Sequence, residues 1–490
     1  MREWPHTVSD ASRSASLSTP AFDAASLTDA IGGQLLRASD RSIRGGAVDS
    51  RRVLPGSCFF ALPGERTDGH EYLAHAAAAG AAALVVSRKL QGQQLDHLWD
   101  GGLGPSVVAV TDTLAALQAA AATWRRRFAP LVVGVTGSLA KTSTKEQVAE
   151  VLAERWTVLR NEGNENNEIG LPLTLLRLGP EHHAAVLEMG MYVPGDIAQL
   201  AKLAGPRIGV VTAVRGTHLS RAGSIAAIER GKRELVEALP PDGTAVLNAD
   251  DPVVERMASA LPTGVGLVRY GFATSADVTA TDVQALGADG MRFVLRHGEQ
   301  HEQVTIPALG RHGVHNALAG AAAGLAAGLD VPTIVRGLAR PLRLEHRSAL
   351  LDVGPWHILD DTYNAAPDSM FAALDLLASL PGRRLAVLGE MLELGEVSRA
   401  AHIEVGRHAA ACAELVLAVG TTADDYLEGA QLGGLGSTAL RRAVHIEGAL
   451  EQLLAELRPG DVVLLKGSRG AALDLLVNRL REAAAAGARA

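Results

Sequence analysis

The sequence predicts an α/β protein of three domains: a small N-terminal α/β domain, a central phosphate-loop domain on a mostly parallel sheet, and a C-terminal Rossmann-like domain. Three observations carry this expectation. At 490 residues the chain exceeds what one hydrophobic core ordinarily supports. From Leu131 onward, short apolar runs alternate with helical periodicity, the pattern of parallel strands covered by helices. At one strand-to-helix turn lies Gly137–Glu146, GSLAKTSTKE, which has the form of a phosphate loop lacking one glycine.

Taken in order, residues 1–25 are Ser/Ala-rich without an apolar stretch and read as a disordered tail, neither signal peptide nor anchor. Residues 26–128 hold short strands at Cys58–Leu62 and Ala82–Val86 and an Ala-rich helix near Tyr72–Ala79. Trp124–Pro130, WRRRFAP, reads as a linker, with Arg125, Arg126 and Arg127 as a solvated helix end before a proline. Residues 129–338 form the central domain, with strands at Leu131–Val135, Ala184–Glu188, Ile208–Thr212 and Ala245–Asn248 and a helix at Lys141–Arg155. Residues 339–490 form the third, with strands at Trp356–Leu359, Arg384–Leu388, Leu415–Val419 and Asp461–Leu465 and no GxGxxG fingerprint. Ligands of open α/β sheets gather at the carboxyl ends of strands, and the loop, Glu188, Thr212 and Asn248 all fall there.

Composition excludes several classes. A net charge of −8 gives no basic field for nucleic acid. No window offers 18 uncharged apolar residues, so no membrane span is expected. Two cysteines, Cys58 and Cys412, lie far apart and fit neither a zinc spacing nor a disulfide framework, which points to a reducing cytoplasm and structural roles. A monomer is expected.

The loop supplies the first chemistry. Its backbone N–H groups and the positive helix end can hold a polyphosphate, Lys141 can reach the terminal phosphoryl oxygens, and Thr142 can ligate Mg²⁺. Gly137, Ser138, Ala140, Lys141, Thr142 and Ser143 are therefore the nucleotide-binding candidates. Ala140 stands where a glycine is usual, and its Cβ makes a positive φ cost about 1 kcal/mol. The plain alternative is a capped helix N-terminus with a solvated lysine. Glu188 and His218 follow neighbouring strands and can face a metal–nucleotide together. Lys232 reads from periodicity alone as a solvated lysine. The run Asn164–Glu168, with Asn166 and Asn167, is either a binding loop or an Asn-rich turn. In Asp360–Met370, DDTYNAAPDSM, Asp368 or Ser369 can simply cap the following helix.

These residues carry a family resemblance. DSRRVLPGSCFFALPGERTDGH from Asp49, TGSLAKTSTKE, NENNEIGLPLTLLRL, LEMG, KRE, LNADDP, HNAL, DDTYNAAPDSM, LGEMLELGE and KGSRG occur in the order found in the ATP-dependent Mur ligases. The chain resembles most the branch that joins D-alanyl-D-alanine to UDP-MurNAc-tripeptide. The resemblance implies a first domain for the UDP-sugar, a central domain for ATP with two Mg²⁺ ions, and a mobile third domain that brings the dipeptide. It implies that Lys141 and Thr142 hold the β- and γ-phosphates and that Glu188, His218 and a carbamylated Lys232 bind metal. It further implies that Asn316 meets adenine and that Arg343 and Asp361 meet nucleotide from the third domain. Asp49, Ser50 and Arg51 would lie by the UDP moiety, and Asn364 and Ser369 near the dipeptide or acceptor chain.

Ala140, Ala213 and Gly313 depart from the family pattern, where glycine, asparagine and asparagine are usual. Two other readings stay open at this point. One is a ligase of the same fold acting on another carboxylate, and the other is a homologue that binds nucleotide or precursor without catalysis.

Overall fold

The computed structural model describes residues 21–64, 67–90, 92–99, 104–216, 224–342 and 344–487. They form three sheets, each built from one stretch of chain. The first contains β1 (Gln34–Arg37), β2 (Gly46–Ala47), β3 (Cys58–Phe60), β4 (Ala83–Val86) and β5 (Ser106–Ala109), in the order β1-β5-β4-β3-β2, parallel except at β1.

The tail expected over 1–25 needs correcting at its end, while residues 1–20 lie outside the described residues. Phe22 is buried and bridges to Ile43, and the Asp23 carboxylate accepts from the Ser26 N–H at 2.7 Å to cap the helix Ala24–Ile31. The domain is therefore already ordered by Ala21, because an aromatic core residue and a capping box fall within the polar, Ser-rich run.

The expected linker is a second correction. Trp124 belongs to the helix Thr113–Arg125; its ring is buried against Phe22 and Phe128, and its Nε1–H donates to the Leu178 carbonyl at 2.9 Å. Arg125 donates to the carbonyls of Ala204 (3.0 Å) and Phe128 (2.9 Å), and Arg127 lays its guanidinium over the Phe22 ring at 4.2 Å and donates to the Ala21 carbonyl at 2.7 Å. This stretch fastens the first sheet to the second. Leu27, Phe60 and Leu117 share one apolar cluster with Val132, Leu171 and Leu187 of the central region.

The second sheet runs β14-β13-β12-β11-β10-β9-β6-β8-β7. Its strands are β6 (Leu131–Thr136), β7 (Val158–Arg160), β8 (Ala184–Glu188), β9 (Ile208–Val211), β10 (Thr244–Asn248), β11 (Gly266–Tyr270), β12 (Val278–Ala285), β13 (Met291–His297) and β14 (Gln300–Ile306). From β7 to β11 it is parallel, as the apolar runs predict. β12, β13 and β14 add an antiparallel meander that the sequence reading lacks. Its strands are half exposed and rich in Thr, Gln, Glu and Arg, so they present no apolar run.

The third sheet contains β15 (Ala349–Val353), β16 (Trp356–Asp361), β17 (Arg384–Leu388), β18 (Leu415–Val419), β19 (Leu440–Ala443) and β20 (Val462–Lys466), in the order β15-β16-β20-β17-β18-β19. All pairs are parallel except the edge pair β15–β16. Apolar clusters cover both faces, and one of them takes in Leu309, just before the helix Gly310–Ala326 of the central region. That contact seats the third domain over the carboxyl edge of the central sheet.

Candidate active site

The phosphate loop joins β6 to the helix Lys141–Leu152. Gly137 has φ +151, and a Cβ there would collide with the Thr212 hydroxyl, so the position accepts glycine alone. The Thr212 Oγ1–H sits beneath the loop with the Leu139 carbonyl at 2.6 Å, and the Asn248 amide donates to the Thr212 carbonyl at 2.7 Å. His315 Nε2 lies 3.1 Å from Asn248 Oδ1 and extends the chain of contacts to the helix Gly310–Ala326. Thr212 and Asn248 thus hold the loop from the strand ends rather than presenting their own side chains to a ligand.

Ala140 adopts φ +62, ψ 6, the left-handed conformation that the usual glycine would take. The backbone trace of the motif is kept, and the side chain bears the strain. Ala140→Gly should raise stability by about 1 kcal/mol, a shift of about 2–4 °C for a domain of this size unfolding as a unit, with nucleotide affinity kept or improved. Calorimetry with and without nucleotide reads both, and a lower melting temperature would contradict the strain. The other departures are accommodated differently. Ala213 uses its backbone carbonyl, which accepts from the Ser138 N–H at 2.7 Å. Gly313 lets the helix approach Ala308, whose Cβ would stand 3.0 Å from an added one.

Beyond the loop, charges converge. Thr142 Oγ1–H donates to Glu188 Oε2 at 2.7 Å, and the Asn166 amide donates to Glu188 Oε1 at 2.6 Å. The Glu188 main chain is clamped by Asn161, whose Oδ1 accepts from its N–H at 3.0 Å and whose amide donates to its carbonyl at 3.0 Å. A hydroxyl and a carboxylate held side by side are the oxygen donors that Mg²⁺ prefers. Burial pushes the Lys141 ammonium below the usual lysine range, with Glu188 acting against the shift and Arg347 adding to it. Lys232, on the helix Ile225–Glu237, is 4% exposed, and burial followed by the nearby Lys141 charge pushes it well below that range. The solvated reading of Lys232 fails because its helix face lies against the sheet.

A cavity of about 570 Å³ joins this cluster to the third domain. Ser138, Ala140, Lys141, Thr142, Ser143, Asn166, Glu188 and Asn316 line one side, and Asp361, Asn364, Ser369, Lys466 and Arg469 the other. Asn316 faces the loop helix, where its Oδ1 is a long 3.5 Å from Thr144 Oγ1. Asp361 ends β16 and is paired with Lys466 Nζ at 2.5 Å, and that amine also donates to the Asn364 carbonyl at 3.0 Å. Ser369 both lines the cavity and caps the helix Pro367–Ser379, its Oγ accepting from the Ala366 N–H at 3.0 Å.

Other candidates fall elsewhere. Asn167 lies outside the cavity lining; its Oδ1 accepts from the N–H groups of Ile169 (3.3 Å) and Gly170 (2.9 Å), a turn role. Asp49, Ser50 and Arg51 form a short turn on the first domain. There Arg51 pairs with Asp49 at 2.6 Å, and its hydrogen bond holds the carboxyl near a pKa of about 2. That turn abuts the Asn-rich loop through Arg52 and Glu165, 3.1 Å apart. His218 and Arg343 lie outside the described residues.

Three cavity residues escaped the sequence reading. Arg347 donates to Thr142 Oγ1 at 3.1 Å while its guanidinium stacks on Tyr363 at 3.9 Å, and no motif marks it. His312 approaches Ser348 Oγ at 3.3 Å. Lys466 opens the KGSRG element, so its position was in view while its pairing with Asp361 was not.

Three α/β sheets, a phosphate loop at the carboxyl edge of the second and a cavity closed by the third define a modular phosphate-loop ligase, and the chain belongs to the Mur ligase family. Family models match at residues 42–125 (Mur ligase family, catalytic domain), 135–324 (Mur ligase middle domain) and 343–469 (Mur ligase, glutamate ligase domain). The relatives it resembles are UDP-N-acetylmuramoyl-tripeptide–D-alanyl-D-alanine ligases. That of Escherichia coli (strain K12) is 35% identical over 93% of this chain and 97% of its own length. That of Mycobacterium tuberculosis (strain H37Rv) is 38% identical over 88% and 91%. Among solved structures, MurF from Acinetobacter baumannii superposes with TM-score 0.84 at 30% identity, covering 95% of this chain and 99% of that one. MurF ligase from Thermotoga maritima in complex with ADP gives TM-score 0.77 at 27% identity, covering 91% and 99%. Among the described residues no helix is long and apolar enough to cross a membrane.

Proposed function

We propose that the protein is an ATP-dependent amide ligase that joins D-alanyl-D-alanine to UDP-N-acetylmuramoyl-tripeptide in the cytoplasm, a step in making peptidoglycan precursor. The observation that carries this reading is the single cavity shared by the phosphate loop, Glu188 and the third-domain residues Asp361, Asn364 and Arg469. One chamber lets a phosphoryl donor, a carboxylate and an amine meet away from bulk water. On this reading residues 26–128 take the UDP-sugar, with Asp49, Ser50 and Arg51 beside it. Residues 129–338 take ATP, and residues 339–490 bring the dipeptide.

The donor set fits Mg²⁺: Thr142 and Glu188 offer hard oxygens, and a carbamate on Lys232 would add another. Bound there, the cation would neutralise phosphate charge. The chain's own groups do the rest. Leu139–Thr142 backbone N–H groups and the helix end hold the polyphosphate, and Lys141, with one weak contact to the Ser138 carbonyl at 3.5 Å, is available for the γ-phosphoryl oxygens. The tripeptide carboxylate oxygen attacks the γ-phosphorus and ADP leaves. The dipeptide amine then attacks the acyl carbon, loses a proton, and expels inorganic phosphate with that same oxygen. No side chain is required as nucleophile, and fixed charge does most of the work.

Purified protein given ATP, Mg²⁺ and both substrates should release phosphate, and omission of either substrate should abolish release. Phosphate release with a different amine and not with D-alanyl-D-alanine would favour a ligase of other specificity. Nucleotide binding without any release would sink the enzyme reading.

A further inference from the structure

Away from the cavity, Asp375, His408 and Cys412 place a carboxylate oxygen, an imidazole nitrogen and a thiol sulfur within 4.8 Å of one another. His408 and Cys412 are one turn apart on the helix Ser398–Cys412, so both project from one face. Asp375 comes from the helix Pro367–Ser379 packed alongside, and its Oδ1 lies 2.7 Å from His408 Nε2. The Phe371 ring, one turn before Asp375, meets the imidazole edge-on at 5.2 Å and limits its rotation. Cys412 is buried while Asp375 is exposed, so the three donors run from core to surface and leave the outer side open to water.

We propose that Asp375, His408 and Cys412 form a binding site for a zinc-type divalent cation that ties the two helices together. The mixed S, N, O donor set is the one that Zn²⁺ accepts, with a solvent water as fourth ligand. Burial, and secondarily Asp375, push the Cys412 thiol up to about 11, so without a cation it is neutral. On binding, the sulfur gives its proton to solvent and bonds as thiolate. The imidazole binds through Nε2 with its remaining proton on Nδ1, and Asp375 exchanges its hydrogen bond for a metal bond. The consequence reaches the proposed active site without depending on it. The helix Pro367–Ser379 carries Asp368, Ser369, Ala372 and Ala373 of the cavity wall, and a cation would brace it from behind.

The chain contains two cysteines, which makes the test clean. Full-length protein without nucleotide is titrated with Co²⁺ and followed by absorption. The site predicts a thiolate-to-cobalt charge-transfer band in the near ultraviolet that saturates at one ion per chain, is displaced by Zn²⁺, and is accompanied by a higher melting temperature with Zn²⁺. The band should vanish in Cys412→Ser and persist in Cys58→Ser and in Glu188→Gln. Asp375→Asn, an exposed change that should not disturb folding, should weaken Co²⁺ binding at least about tenfold. The absence of a charge-transfer band in the unaltered protein, its survival in Cys412→Ser, or unchanged affinity in Asp375→Asn would overturn the proposal.

Discussion

Replacing Lys141 with alanine should lower turnover by about a thousandfold or more, read as phosphate released in the presence of both substrates. The partly buried ammonium lines the cavity near Glu188, and its hydrogen bond to the Ser138 carbonyl is a long 3.5 Å. A cation so placed serves a ligand more than it serves the fold. Removing one preorganised donor from such a site typically costs about 10²–10³ in rate, and here the donor also carries full charge. Stability should stay level or rise, since the partly buried ammonium is poorly compensated. That combination, loss of rate with retained stability, separates a catalytic lysine from a structural one. Turnover within about twofold of the unaltered protein would sink the phosphate-loop assignment.

Lys232→Ala should cost about 10²–10³ in rate for a different reason. Burial and the Lys141 charge hold Lys232 well below the lysine range, which favours the free amine relative to an exposed lysine. A free amine that adds to carbon dioxide loses one proton and leaves a carbamate, and at Lys232 that would put an anionic oxygen donor near Glu188. Activity of the unaltered protein should therefore fall in buffer stripped of carbon dioxide and return with bicarbonate, whereas the alanine variant should respond to neither. ¹³C-labelled bicarbonate should give a carbamate resonance in the unaltered protein that is missing from the variant. Full activity in Lys232→Ala, or no carbamate resonance, would contradict this role.

What the sequence made legible was local. The loop is contiguous, and its strand-turn-helix setting is visible because β6 is a pure apolar run; likewise β8, β17 and β18 occupy the spans that apolarity predicts. Glu188 was within reach because it closes such a run. The misses have physical causes. The meander β12–β14 hides behind alternating polar residues on a half-exposed edge. The WRRRFAP stretch looks like a linker by charge, yet Trp124 and Arg125 are spent fastening two domains through partners 54 and 79 residues away. Arg347 meets Thr142 across 205 residues and has no motif of its own, so only the docking of the third domain reveals it. Lys232 is the instructive case, since periodicity alone places it in water and the family resemblance points the other way.

The central claim is that the carboxylate is activated by phosphorylation inside the shared cavity, and oxygen tracing tests it most directly. UDP-MurNAc-tripeptide labelled with ¹⁸O in its terminal carboxylate is incubated with the protein, ATP, Mg²⁺ and D-alanyl-D-alanine, and the released phosphate is weighed by mass spectrometry. An acyl-phosphate route predicts one ¹⁸O in each phosphate and the other retained in the new amide carbonyl. Unlabelled phosphate would show that ATP is split without passing through the carboxylate, and would contradict the account.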